Sequence, residues 1–302
     1  MMKKGRRLTM QQQRTLGGIL MSLPSFLVLF LFFIGPMLLA ILLSFTNWKG
    51  TTLAFDFIGL TNYIKVVNTH NFGQLVYNTI YLIILYVPIL NIVALVMATL
   101  IYGMSRKLGT ISKSAIFFPN LLAPVVVGFI WLILYQYQNG IFNKILRGIG
   151  LGAIAHDWLG DPSTAMPAIS LPILWFAVGY FLIIYTAGLT TIPDDLYENA
   201  EVEGANRVQS FFGITVPMLA PSITINVILS TIGCIATFEF PLVMTKGGPG
   251  SFTRTMGYAI WDYAYGTRQQ GHALAIAVIM AVIATAIAFA EWYVLHKQEE
   301  IY

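Results

Sequence analysis

Glu198-Asn-Ala-Glu-Val-Glu-Gly204-Ala-Asn-Arg207, running on to Ile214-Thr-Val-Pro217, is a polar, acidic island in a chain that is 57% hydrophobic and 10% charged. Asp195 followed by Glu198 gives a helix-start pattern, with Pro193 just before it. The spacing predicts a helix over residues 196–203 that places Glu198 and Glu201 near one another. Gly204 can end that helix and let a second backbone approach closely. Val208, Phe211, Phe212 and Ile214 then form an apolar run that Pro217 interrupts. Two short helices meeting at a glycine make a compact knob with acids on it and aromatics at its base. Such a knob suits a groove on a partner. On residue chemistry alone it equally suits a solvated cap on the membrane surface.

Outward from the island the chain is apolar. Six long tracts, near residues 16–44, 76–102, 114–135, 168–189, 219–244 and 273–295, are each long enough to cross a bilayer core, which takes about 20 apolar residues. The acids in these tracts, Glu239 and Glu291, lie toward their ends. Backbone groups in lipid must pair internally, so the tracts are expected to be helices. The expected fold is an all-α polytopic membrane protein, one transmembrane domain over residues 1–302, with residues 190–218 as its principal cytoplasmic loop. The first tract follows Lys3, Lys4, Arg6, Arg7 and Arg14 but is longer than a signal-peptide core of about 7–15 residues, so a retained helix is expected. The same basic flank places the N-terminus in the cytoplasm, and six spans return the C-terminus there. The net charge of +4 comes from such flanks and is not a nucleic-acid footprint.

Several chemistries find no residues to carry them. The single cysteine, Cys234, allows no internal disulfide or cysteine metal cluster. Histidines 70, 156, 272 and 296 have no metal-ligand spacing, so no metal site is expected, and no catalytic residues are assigned. No G-x-x-x-x-G-K-[ST] phosphate loop is present, so the chain cannot supply its own ATP site. An intramembrane enzyme would need a nucleophile, paired aspartates or H-E-x-x-H, and none is found. An ion-coupled secondary transporter would be expected to place ionisable residues near the midplane and to repeat broken helices in two halves.

The predicted outer loops carry patterns of their own. Residues 45–75 contain Phe57-Ile-Gly-Leu-Thr-Asn-Tyr63, ahead of Asn78-Thr79. In residues 136–167, Ile141, Phe142, Ile145, Leu146 and Ile149 recur at helical spacing, which predicts a short amphipathic helix at the outer interface; Trp158 fits the aromatic belt. Residues 245–272 begin Thr245-Lys-Gly-Gly-Pro-Gly-Ser-Phe-Thr253, where glycines and a proline force a turn.

The island resembles E-A-A-x3-G-x9-I-x-L-P, the loop by which permease subunits of ABC importers grip their ATPase. Glu198, Ala200, Gly204, Ile214 and Pro217 match, while Asn199 and Val216 depart from it. F-x-G-L-x-N-Y, N-T and T-x-G-G-P-x-x-x-T, in that order, resemble carbohydrate permeases of the maltose, glycerol-phosphate and multiple-sugar type. The resemblance implies the type I importer permease fold, with the island as its coupling helix through Glu198, Ala200, Glu201, Gly204, Ile214 and Pro217. It implies that this chain binds no cofactor, with ATP and Mg held by two partner ATPase subunits. It also implies a second permease, an extracytoplasmic sugar-binding protein and a bacterial cytoplasmic membrane. The alternative is a permease of the same superfamily for an amino acid, peptide or ion.

In similar permeases the helices before and after the coupling loop line the sugar path. A pyranose has an apolar face and a polar edge, so aromatic rings beside hydrogen-bonding groups are the candidates. The fourth tract offers Trp175, Phe176 and Tyr180; the fifth offers Ser230, Thr237 and Glu239. Ser230 and Thr237 are two helical turns apart and share a face. Glu239 is expected to face water or protein, whether in the path, at a helix end or paired with Lys246.

Overall fold

The computed structural model describes residues 10–299 apart from Leu53 and His70. The basic residues Lys3, Lys4, Arg6 and Arg7 lie outside the described residues. Among the described residues there are helices and no strands, only an isolated bridge between Thr46 and Phe57. In chain order the elements are α1 (Gly17–Ser44, entered from Met10), α2 (Thr61–Asn68), α3 (Phe72–Tyr102), α4 (Arg106–Leu121), α5 (Pro124–Leu134), α6 (Ile141–Gly148) and α7 (Ala165–Leu189). Then come α8 (Asp194–Val202), α9 (residues 207–218, with a π turn at Phe211–Thr215), α10 (Ala220–Ala236), α11 (Glu239–Met244), α12 (Met256–Trp261) and α13 (Gln270–Glu299).

Among the described residues five helical stretches are long and apolar enough to cross a membrane: α1, α3, α7, α13, and α10 with α11 taken together. The count reaches six if α4 and α5 form one span, and here the structure departs from the continuous helix expected over residues 114–135: α4 and α5 meet at 96°. The cause is proline. Pro124 cannot donate to the carbonyl four residues back, and it holds the preceding Ala123 extended at φ −66°, ψ 137°. The expected helix over residues 219–244 is also interrupted: Thr237 is extended at φ −62°, ψ 125°, and α11 restarts after Phe238. Pro241 again removes the donor that would have met the Thr237 carbonyl. That carbonyl accepts instead from Thr255 Oγ1 at 3.3 Å. Gly257 lies so close that a Cβ there would sit 2.8 Å from the Thr237 oxygen.

The core gathers around α3 and α7, with α10 against both and α13 against α10. Leu82, Leu90, Val127, Ile169 and Leu182 are fully enclosed. One buried polar chain ties three spans. Tyr185 of α7 donates to Asn91 Oδ1 of α3 at 2.8 Å, and Asn91 Nδ2 donates to Ser230 Oγ of α10 at 3.0 Å. A polar side chain in a bilayer needs such a partner. The acid Glu291 is likewise held, by Thr231 Oγ1 at 2.7 Å. By contrast α1 is peripheral: the chain buries none of its most apolar stretch.

Candidate functional site

The acidic island forms a helical hairpin on the polypeptide between α7 and α10. α8 starts two residues before and ends one residue before the limits expected from the sequence, with Asp194 and Asp195 in its first turn, where acids favour the helix dipole. It ends in a Schellman closure, with Ala205 N–H on Ala200 O at 2.9 Å and Gly204 N–H on Glu201 O at 3.0 Å. Gly204 adopts φ +86°, the left-handed region that glycine enters without steric cost. The close approach expected at Gly204 is not found: nothing in the chain lies within 4 Å of where its Cβ would be. Asn206 then caps α9, its Oδ1 accepting from Val208 and Gln209 N–H at 3.0 Å while the Gln209 side chain accepts from Asn206 N–H.

One hydrogen bond, Tyr197 Oη with Thr215 Oγ1 at 2.9 Å, staples the two arms. Pro217 does not break the second arm; it sits near the start of a helical turn, where a missing N–H costs least. Ile214 packs inward against the bundle, and Ala200 lines a small groove between the arms. Glu198, Glu201 and Gly204 are exposed, as are Val202 (89%), Val208 (65%) and Phe212 (67%). Val208 and Phe212, expected on an apolar face, remain mostly exposed, Phe212 meeting the Phe211 ring edge-on.

A cavity of about 450 Å³ opens between the helices that flank this hairpin. Phe176 and Tyr180 of α7 line it, with Ser230 of α10, Thr237 at the break and Glu239 at the start of α11. The break at Thr237–Phe238 thus delivers Thr237 and Glu239 to one wall. Glu239 Oε2 accepts from Phe238 N–H at 3.2 Å. Ser230 is almost enclosed, and its hydroxyl is engaged with Val227 O and Asn91. Trp175, expected beside them, does not line this cavity: it stands edge-on to Trp131, ring centroids 6.1 Å apart. It faces a different neighbour because position 175 lies on the α5 side of α7. Tyr86 and Asn120, not expected from the sequence, also line the cavity. Asn120 was detectable as an amide between two prolines in an apolar tract.

The outer-loop patterns resolve into one hydrogen-bonded frame. Asn62 Nδ2 donates to Ser44 O and Thr46 O, both at 2.8 Å, and Tyr63 Oη meets Ser44 Oγ at 2.6 Å. The F-x-G-L-x-N-Y stretch therefore closes the end of α1. Asn78 Nδ2 donates to Ser251 O and Arg254 O at 2.9 Å, and Thr79 Oγ1 accepts from Met256 N–H at 3.0 Å. Thr245 Oγ1 and Thr253 Oγ1 are 2.7 Å apart, and Thr253 donates to Gly248 O. Arg254 pairs with Asp262 and covers the Tyr258 ring; burial and the Asp262 charge raise the Tyr258 phenol, against a smaller lowering by Arg254. The amphipathic helix α6 is present. Phe142 stacks on Trp131 and Tyr135, while Ile141, Ile145 and Ile149 stay exposed. Trp158 turns inward, donating to the buried Asn143 Oδ1 at 2.8 Å.

Broken membrane helices around a cavity, with a polar hairpin between two of the spans that line it, are an architecture suited to a polytopic transport permease. The chain belongs to the family described as binding-protein-dependent transport system inner membrane component, which it matches over residues 67–296. It is therefore a multi-pass membrane protein. It is 29% identical over 263 residues to the probable ABC transporter permease YurN of Bacillus subtilis, covering 87% of this chain and 90% of that one. It is 30% identical to the sulfoquinovosyl glycerol permease SmoG of Agrobacterium fabrum, covering 89% and 87% of the two chains. It is 29% identical to the trehalose/maltose permease MalF of Thermococcus litoralis, covering 88% and 89%. Its fold matches a chain of a bacterial alginate ABC transporter, solved with an alginate pentasaccharide-bound periplasmic protein. The TM-score there is 0.80 at 21% identity, covering 97% of this chain and 99% of that one.

Proposed function

We propose that this chain forms one half of the translocation path of an ATP-driven importer for a carbohydrate. A second permease, similar or identical, completes the path; two ATPase subunits act from the cytoplasm, and an extracytoplasmic binding protein delivers the sugar. Both termini and the α8–α9 hairpin are cytoplasmic. The hairpin seats in the ATPase through Glu198, Glu201, Gly204 and its exposed Val202, Val208 and Phe212, while Ala200, Ile214 and Pro217 hold its shape. Closure of the ATPases on ATP moves the hairpin, and α7 and α10, which leave it at either end, reshape the cavity between them.

The observation that carries this reading is the placement of the hairpin between two of the spans that line the cavity. The cavity lies within the 300–1,000 Å³ range of small-ligand sites. Phe176 and Tyr180 offer aromatic faces and Thr237 and Glu239 offer polar edges, the pairing a pyranose needs. The names of the relatives favour a sugar over an amino acid, peptide or ion. Purifying the chain in mild detergent and identifying its neighbours by mass is the test. A second permease and an ATPase are expected; reproducible isolation without an ATPase would overturn the assignment.

A further inference from the structure

The chemistry of the cavity wall bears on which saccharides the path accepts, an inference that rests on the path reading above. Glu239 is the one carboxyl side chain of that wall; its neighbours are aliphatic, aromatic or neutral polar, such as Asn120, Ser230 and Thr237. Among the described residues no cation forms a salt bridge with it; the salt bridge formed is Arg254–Asp262, at the outer loops. Lys246, one of the alternatives the sequence offers for Glu239, lies beyond the far end of α11, where its backbone carbonyl accepts from Tyr258 Oη at 2.9 Å. The Glu239 contact within the chain is the Phe238 N–H on Oε2, and the helix break places Glu239 in the cavity wall.

We infer that Glu239 sets the charge class of the path: it favours neutral and amine-bearing saccharides and rejects anionic ones such as uronates. A carboxylate accepts hydroxyl donors well and an ammonium better. A second carboxylate brought into a partly desolvated cavity is repelled far more than it would be in bulk water. The acidic polysaccharide handled by the solved alginate transporter is the kind of solute this wall disfavours.

The field of the wall can be read without knowing the sugar. In the complete complex, with Cys234→Ala as background, a cysteine replaces Ala236, which lines the same cavity. It is labelled with a cationic and with an anionic methanethiosulfonate, each rate divided by that reagent's rate on a free thiol. With Glu239 present the cationic reagent is expected to react at least about tenfold faster. Glu239→Gln should bring the two rates close together. Equal rates with Glu239 present would overturn the inference, including the case in which the partner permease supplies a compensating cation. A preference that persists in Glu239→Gln would overturn the role of this residue. Failure of both reagents to react would instead overturn the path reading itself, because the cavity would be closed to water.

Discussion

The outer frame and the α8–α9 hairpin both carry short sequence patterns, yet they hold those residues in opposite ways. In the outer frame the pattern residues are buried and spent on this chain: Asn62, Asn78, Thr79 and Thr253 are each no more than 5% exposed. Asn78 reaches across more than 170 residues of sequence to the carbonyls of Ser251 and Arg254. In the hairpin the closure is local, through one glycine turn, one capping box and one staple. Its acids are exposed, as are Val202, Val208 and Phe212, while Phe211 and Ile214 are half-buried. A pattern whose residues are consumed internally specifies architecture. A pattern whose residues have no internal employment is built for something outside.

The largest effects should come from breaking the frame. Asn78→Ala removes two buried donor bonds and leaves two carbonyls seeking partners, at a cost of about 2–4 kcal/mol. Asn62→Ala should cost about as much, since the same count of carbonyls is released at the end of α1. Thermal unfolding of the purified complex is the measurement. If either variant melts with the wild type while a hairpin variant does not, the contrast between the two regions is reversed.

Next come substitutions at Gly204, where backbone and surface can be separated. A β-branched residue at φ +86° is strained by about 1–2 kcal/mol, whereas Asn and Asp tolerate that region. Gly204→Val should therefore loosen the hairpin. Gly204→Asn should preserve it, and Gly204→Asp should preserve it while adding a charge to the proposed docking surface. All three should insert normally, because the position borders open space. Substrate-stimulated ATP hydrolysis is expected to fall most in Gly204→Asp; a wild-type response there would remove the hairpin from the coupling role.

Phe212→Ala sharpens the same point with less disturbance. At 67% exposure the ring contributes little to the stability of this chain, so the melting temperature should move by no more than a degree or two. Stimulated ATP hydrolysis should drop several-fold, as when an aromatic anchor is lost from an interface. Topology gives an all-or-none companion result. In sealed cells a cysteine at Ile149, exposed on α6's flank, should react with an impermeant thiol reagent from outside, and one at Asn199 should not. Labelling of Asn199 from outside would place the hairpin on the wrong side of the membrane.

Much of this was legible in the residues, and the misses share a cause. Long apolar tracts announced the spans because lipid leaves the backbone no alternative. The hairpin was legible because its helix starts, its glycine and its polarity stand out in an apolar chain. The breaks before α5 and α11 were signalled by Pro124 and Pro241, but a proline inside a membrane helix is often only a kink. Pro88 and Pro172 sit within continuous helices and show why the residue alone did not decide. The outer patterns were recognised as patterns, but their purpose was invisible. Asn62 and Asn78 find their carbonyl partners only when distant loops have come together. Side-chain direction on α7 was the least legible feature, since that helix is apolar around its whole circumference and nothing in its periodicity separates the cavity face from the packed face.

That last ambiguity supports the smallest and most discriminating prediction. Trp175 and Tyr180 are five residues apart on α7, both aromatic and both expected from sequence to line the path. The structure separates them: Trp175 packs edge-on against Trp131 beside Tyr135 and Phe142, while Tyr180 is 44% exposed and borders the cavity. Trp175→Phe keeps a ring in a packed cluster and removes only part of its volume, so it should cost about 1 kcal/mol of stability and leave the sugar affinity of uptake unchanged. Tyr180→Phe removes a hydroxyl from the cavity wall with little change in volume, so it should leave the melting temperature unchanged and weaken the apparent affinity for the sugar by a few-fold. Each variant is therefore the control for the other, with one readout sensitive to packing and one to the path. If Trp175→Phe shifts affinity and Tyr180→Phe does not, the packed and solute-facing sides of α7 have been exchanged, and Glu239 would have to be reconsidered along with them.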